Sequence, residues 1–289
     1  MSGPSRDGAL VKTVLKVFDF FHREDSRGVR RHRVMGLEKL PEGPCLLIAN
    51  HNIVAPLEIL TLLSAWERRF QGQRPVHGLA HRFPFRIPGV RGLFKRLGAV
   101  PATHEWADRV LRSGTSLVVF PGGNFESTRA YSERAICDFG GKKGWIEIAL
   151  RNAAPIIPVS ISGAHAMNPV LWRSEFLSYM LILPKLLGIR WFPVTLAQVV
   201  YTLTGTGALH AAGISGAGLF FAAWALFTFT PQLPVLPRRI TIRIGDAIPV
   251  EELKARGLTR EEIYSLVLAR VQEGIRCCRI QSECHDRFV

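Results

Sequence analysis

From Trp191 to Pro237 the chain carries no Asp, Glu, Lys or Arg. With 21% charged residues overall, a stretch of that length would ordinarily hold roughly ten of them. So long a run has two destinations, a large dry core or the apolar part of a membrane. Within it, residues 211–230 (AAGISGAGLFFAAWALFTFT) are about long enough to cross a bilayer as one helix. Residues 194–209 are short for a crossing and carry Gly205 and Gly207. Lys185 and Arg190 precede the run, and Arg238 and Arg239 follow it. With both flanks on the cytoplasmic side, a hairpin that enters the membrane and returns fits this pattern. A buried hairpin is the competing reading, but a chain of 289 residues has little core in which to hide it.

The charge balance points the same way. There are 37 Lys+Arg against 23 Asp+Glu, a net charge of +14, which attracts polyanions: nucleic acid, anionic headgroups or a phosphorylated cofactor. Mean hydropathy is +0.14, and basic residues are not interleaved with stacking aromatics. Membrane lipids are therefore the expected partner and nucleic acid is not. A hydrophobic content of 47% excludes disorder. Cys45, Cys137, Cys277, Cys278 and Cys284 form no disulfide framework. Cys278, Cys284 and His285 lie close together, but structural zinc needs four ligands, so free thiols in a reducing cytosol and no metal are expected.

Residues 8–22 have the spacing of an amphipathic helix, with Leu10, Val11, Val14, Leu15, Phe18 and Phe21 on one face and Lys12 and Lys16 opposite. Lys12, Lys16 and Asp19 interrupt the apolar run that a signal peptide would need. Such a helix lies in a lipid interface or packs on the domain, and the spacing leaves both open. Arg27, Arg30, Arg31 and Arg33 follow, suited to anionic headgroups or to a solvated loop.

The rest alternates strand and helix signals. GPCLLIANH, TSLVVFPGG and APIIPVSISG are short apolar runs that predict buried strands. Pro56 opens a helical pattern through Trp66, GWIEIALRNA is helical, and RRITIRIGDAIPV alternates as a half-buried strand before a helix over about 258–280. The predicted fold is α/β, a mostly parallel mixed sheet flanked by helices, with an apolar membrane-associated insertion. The predicted division is a basic amphipathic segment (1–34), a core (35–175), the insertion (176–237), and a closing strand and helix (238–289).

Sites in such sheets gather at the carboxyl ends of strands. His51 and Pro121-Gly122-Gly123 both fall there. A His at a strand end serves as general base if a carboxylate orients it, and Glu58 is the nearest acid; alone, such a His is also consistent with a structural role. The Gly pair lets the backbone approach a ligand and present N–H groups to an oxyanion, or simply makes a tight turn. Glu126 and Arg129 follow as further candidates or as an ion pair. Lys142 and Lys143, ahead of a helix, suit the phosphates of a cofactor or a solvated loop. No GxSxG elbow, GxxxxGK[ST] loop or GxGxxG turn after a strand is present.

Taken in order, His51, Gly98-Ala99-Val100-Pro101, Phe120-Pro121-Gly122-Gly123 and Pro155-Ile156-Ile157-Pro158-Val159 resemble the blocks of the glycerolipid (lysophospholipid, PlsC-like) acyltransferase family. Two departures stand out. The family usually has Asp five residues after its His; here that position is Pro56, and Glu58 is two residues further on. Where phosphate-accepting members carry an FPEGTRS-like motif, this chain has Pro121-Gly122-Gly123-Asn124-Phe125-Glu126. That form resembles the PGGxxE of the diacylglycerol-acyltransferase-like branch, which includes phytyl ester synthases and esterifies neutral alcohols.

The resemblance implies an enzyme of lipid metabolism that moves a fatty acyl group from acyl-CoA or acyl-carrier protein to a lipid hydroxyl, with no bound cofactor. It implies His51 as base with Glu58, Gly122, Gly123, Glu126 and Arg129 around the oxyanion and acceptor, and a place at the cytoplasmic face of a membrane. Two alternatives stay open: a lysophosphatidate acyltransferase, and a non-catalytic lipid-binding protein on the same fold.

Overall fold

The computed structural model describes residues 8–21 and 32–286; the side chains of residues 20, 21 and 281–286 are not described. Arg27, Arg30 and Arg31 lie outside the described residues, as do the side chains of Phe20, Phe21, Cys284 and His285.

Among the described residues nine strands form two sheets. The main sheet has the order β1-β9-β6-β2-β5-β3-β4, with β1 (His32–Met35), β2 (Leu46–Ala49), β3 (Val76–Ala80), β4 (Ala99–Pro101), β5 (Ser116–Val119), β6 (Ile156–Ser162) and β9 (Ile240–Ile244). All neighbours pair in parallel except β6 and β9, so the sheet is mixed with a mostly parallel centre. The central strands β2 and β5 are buried along their whole length, which is why they read as unbroken apolar runs rather than alternating ones. A small sheet pairs β7 (Val170–Ser174) with β8 (Phe192–Thr195).

Helices cover both faces. On one side, α4 (His104–Arg112), α6 (Gly144–Asn152), α12 (Val250–Ala255) and α13 (Arg260–Asp286) share a core with Leu46, Ile48, Leu117 and Ile156. On the other, α2 (Ala55–Phe70) packs Leu62 and Trp66 against Leu47, Val118 and Ile157. The amphipathic helix α1 (Gly8–Phe21) lies on α2, with Val11, Leu15 and Phe18 buried and Asp19 bonded to Ser64 and Arg68. Of its two readings, packing on the domain is the one realised. α3 (Val90–Arg96) follows β3, and the short α5 (Gly123–Ser127) follows β5.

Between β6 and β9 the chain makes one excursion: α7 (Ala164–Met167), β7, α8 (Glu175–Met180), α9 (Leu183–Leu186), β8, α10 (Leu196–Ala211) and α11 (Gly216–Phe229). It starts at Gly163, whose φ of +90° is left-handed and where a Cβ would overlap the carbonyl of Arg239, the residue at which the chain returns. Departure and return are therefore in contact.

The uncharged run is divided within this excursion. Its first residues, Phe192, Val194, Thr195 and Ala197, are buried. The remainder is an antiparallel helix pair in which the Gln198 amide donates to the Phe227 carbonyl and Leu226 packs against Gly205. The expectation of one crossing helix over 211–230 is overturned. Gly213 at φ +89° closes α10, and α11 has 14 residues, which at 1.5 Å per residue is about 21 Å against a hydrocarbon core of about 30 Å. Among the described residues no helix is long and apolar enough to cross a membrane. Much of the pair still faces outward, with Leu203, Phe220, Phe221 and Phe229 each more than 60% exposed.

Candidate active site

The site is built where β2 and β5 end side by side. Asn50, the first residue beyond β2, is fully buried; its amide donates to the Ile161 carbonyl (2.9 Å) and accepts the Ile161 N–H (2.7 Å). This side chain continues the β2–β6 pairing past the strand end and fixes where His51 leaves the sheet.

Residues 52–54 then turn into α2, whose first turn carries Glu58. The seven-residue spacing closes on itself: the Glu58 carboxylate lies 3.3 Å from His51 Nδ1 and accepts the Asn52 N–H at 3.3 Å. Glu58 is wholly buried, whereas the His51 side chain is 16% exposed. The Phe120 ring stands 4.5 Å from the imidazole. With Nδ1–H directed at the carboxylate, Nε2 is left with a lone pair.

After β5, Pro121-Gly122-Gly123 brings α5 under the same histidine. Glu126 on α5 accepts the His51 main-chain N–H at 3.0 Å through Oε2, and the Asp138 N–H at 3.3 Å through Oε1. Cys137 Sγ also points to Oε1 (3.5 Å). Burial pushes the Glu126 carboxyl up to about 7, against the opposing pull of Arg129 and of the His51 N–H. A Cβ on Gly122 would stand within 2.5 Å of Glu126 Oε2, so the first glycine is required for space. The second, Gly123, has φ +51° and is required for the turn.

Arg129 donates to the carbonyls of His51 and Glu126 and to the Asn52 side chain, all at 3.0–3.1 Å. Glu126 and Arg129 are 1% and 4% exposed. Both bond to the main chain of His51. His165, on α7, is buried close enough to Arg129 and His51 to feel their charge, and burial first, then Arg129, keeps its pKa well below the ordinary value.

The Gly123 N–H is taken by the Phe120 carbonyl (3.1 Å). The Gly122 N–H, the other donor of the expected pair, makes no hydrogen bond among the described residues. Lys142 Nζ donates to the Gly122 carbonyl (3.0 Å), and partial burial lowers its pKa. Lys143 turns away to Glu261 (2.7 Å). The two lysines do not form one cluster. No group of His, Cys, Asp or Glu suited to a metal occurs among the described residues.

Sequence reasoning did not single out Asn50 or Asn124. Asn124 ties α5 to the excursion: its amide donates to the Trp191 carbonyl and accepts the Trp191 N–H, both at 2.9 Å. Arg173 lies between the Phe125 and Trp191 rings, 4.5 and 4.9 Å from their centroids. A cavity of about 90 Å³ separates α5 from the excursion, lined by Ile53, Asn124 and Thr128 on one side and Leu183, Phe192 and Phe229 on the other. The signal for both asparagines was present, an uncharged amide at the end of a buried strand or turn, but its partners lie 67 and 111 residues away.

Residues 31–162 match the acyltransferase family model. That span holds β1 through β6 and every site residue named above except His165, Arg173, Trp191 and the far wall of the cavity. An uncharacterized protein of Mycobacterium tuberculosis is 30% identical over 193 residues, covering 66% of this chain and 50% of that protein. The mouse DGAT1/2-independent enzyme synthesizing storage lipids is 32% identical over 153 residues, covering 53% and 44%. The crystal structure of the 1-acyl-sn-glycerophosphate acyltransferase PlsC from Thermotoga maritima aligns over 93% of this chain and 80% of that one, with a TM-score of 0.49 and 19% identity. The chain spans about half the length of the relatives it matches in sequence. His51, Gly122 and Glu126 all lie within residues 31–162, the part of the chain that matches the acyltransferase family model.

Proposed function

We propose that the protein moves a fatty acyl group from an acyl thioester, acyl-CoA or acyl-carrier protein, to the hydroxyl of a neutral lipid or alcohol at a membrane surface. The observation that carries this reading is the His51–Glu58 pair. A carboxylate on Nδ1 leaves Nε2 as the base and stabilises the imidazolium that forms.

In this reading His51 Nε2 takes the proton of the acceptor hydroxyl while its oxygen attacks the thioester carbonyl. The tetrahedral oxyanion is met by the Gly122 N–H, with the Lys142 ammonium close to the same loop. Collapse breaks the C–S bond, and the imidazolium returns its proton to the leaving thiolate. In this reading Lys142 serves the donor side, while Lys143 is held by Glu261.

The neutral acceptor is favoured by the burial of Arg129. Arg129 is buried, and its two terminal nitrogens donate to His51, Glu126 and Asn52 rather than to a site open to an acceptor phosphate. The exposed apolar side chains of α10 and α11 support seating on a bilayer without crossing it, and Phe229 at the end of α11 shares a cavity with Ile53, two residues from His51.

Purified protein offered acyl-CoA with diacylglycerol, monoacylglycerol, a long-chain alcohol or lysophosphatidate tests the reading. Ester formation with the neutral acceptors, lost in His51→Ala with the fold intact, is expected. Preference for lysophosphatidate would move the protein to the phosphate-accepting enzymes. No turnover with any acceptor would leave a lipid-binding protein.

A further inference from the structure

Between Glu67 and Glu105 the chain has no acidic residue and eight basic ones: Arg68, Arg69, Arg74, Arg82, Arg86, Arg91, Lys95 and Arg96. The middle of this run, His81–Arg96, is the crossover from β3 to β4, and it leaves the sheet at the carboxyl end of β3. In a parallel arrangement that is the same edge at which β2 delivers His51, β5 delivers Gly122, and β6 delivers the apolar excursion. The two surfaces touch: the His81 ring lies against Gly188, in the turn between α9 and β8, where a Cβ would stand 3.5 Å from it.

The crossover is not simply a solvated charge run. Phe85 and Phe94 pack edge to face at 5.9 Å and fold the segment onto α3. Ile87 and Leu93 stay outside, 36% and 47% exposed, among the exposed side chains of Arg82, Arg86 and Arg91. The side chains of those three arginines make no hydrogen bond or ion pair with any described residue. Across the contact at Gly188 the apolar surface continues through Phe176, Met180, Ile182 and Leu186, each more than 60% exposed. Guanidinium groups interleaved with protruding aliphatic side chains match a bilayer interface with anionic headgroups. A free phosphate or an acidic protein surface would not require Ile87 and Leu93 beside them.

We propose that His81–Arg96 is an anionic-lipid docking surface. Arg82, Arg86 and Arg91 meet headgroup phosphates, Ile87 and Leu93 enter the interface, and the edge of the sheet that bears His51 is thereby turned toward the membrane. The inference rests on the membrane seating proposed above and adds the lipid charge, the residues and the orientation.

Co-sedimentation with phosphatidylcholine vesicles, and with vesicles containing one third phosphatidylglycerol, tests it. Each cation at such a surface contributes about a factor of five, so Arg82→Gln/Arg86→Gln/Arg91→Gln is expected to lose on the order of a hundredfold in affinity for the anionic vesicles. Its melting temperature and its turnover of detergent-dispersed substrate should match the wild type. Wild-type binding to the anionic vesicles should fall steeply with added salt. Equal binding of wild type and triple variant to both vesicle types would overturn the proposal and leave the hairpin as the anchor. Loss of binding in Phe220→Asp/Phe221→Asp, with the lipid-charge dependence absent, would do the same. Failure of the membrane reading itself has another signature, no binding of wild type to either vesicle, and that result overturns both.

Discussion

The carboxylate of Glu126 accepts the main-chain N–H of His51 across 75 residues of sequence, at 3.0 Å. The strand end that supplies the histidine and the turn that supplies the glycines are thus one rigid unit. The carboxyl group that joins them is buried, so its proton is sensitive to everything else in the unit.

That burial predicts a pH signature. The folded-state pKa of Glu126, about 7, lies above the ordinary value of 4.5. As pH rises from 4.5 to 7 the unfolded chain loses this proton before the folded chain does. Glu126 therefore contributes stability that is complete below about pH 4.5 and declines as pH rises through 7. Where only the unfolded chain has released it, the slope approaches about 1.4 kcal/mol per pH unit. Urea unfolding of wild type and Glu126→Gln at several pH values measures the difference. The gap between the two should shift in the variant's favour across this window, and parallel curves would contradict the assignment.

Removing His51 and removing Glu58 should not be equivalent. His51→Ala is expected to lower kcat by about 10²–10⁴-fold. Glu58→Gln keeps the size and a hydrogen-bonding atom near Nδ1 but removes the charge. It should lower kcat by roughly tenfold or more through loss of imidazolium stabilisation, with KM little changed. Steady-state kinetics on both variants decide this, and an equal rise in KM with kcat intact would assign Glu58 to substrate binding.

Gly122→Ala places a methyl group against Glu126. Because neighbouring α5 is anchored at Asn124 and Glu126, the crowding should cost about 1–3 kcal/mol of stability and displace the Gly122 N–H. Ala at Gly114, a left-handed glycine with open space around its Cβ position, serves as a comparison with strain but no crowding. Equal loss of turnover in both variants would show that crowding at Glu126 is not what matters.

Asn124→Leu removes both bonds to the Trp191 main chain. Two lost hydrogen bonds with a partly buried partner left behind should cost about 1–3 kcal/mol, concentrated in the excursion. Chymotrypsin should cleave the variant faster within residues 163–239 than the wild type, while the α13 side of the protein keeps its resistance. Uniform digestion of both proteins would show that the tie is dispensable.

The central strands, α2, α6 and α13 were legible because their signal is local: an unbroken apolar run or a helical period. The blocks at His51 and at Phe120–Gly123 were legible for the same reason, since each follows the end of a buried strand read along the chain. β3, β4, β7 and β8 were not. They are short, and β4 and β7 are only partly buried, so their neighbours rather than their composition make them strands. Residues 211–230 misled because hydropathy counts apolar residues without registering the turn at 212–215 that shortens the helix. Glu58 is the nearest acid in the sequence, but its distance from His51 depends on how tightly residues 52–54 turn, which spacing alone does not specify.

The contact between Gly163 and the Arg239 carbonyl makes the excursion a loop closed at its neck. Everything from α7 to α11 leaves and rejoins the domain through one point, so its length and content are not constrained by the register of the sheet. Such a segment can be exchanged, lengthened or replaced between proteins as a cassette, and the strands around His51 need no adjustment to receive it.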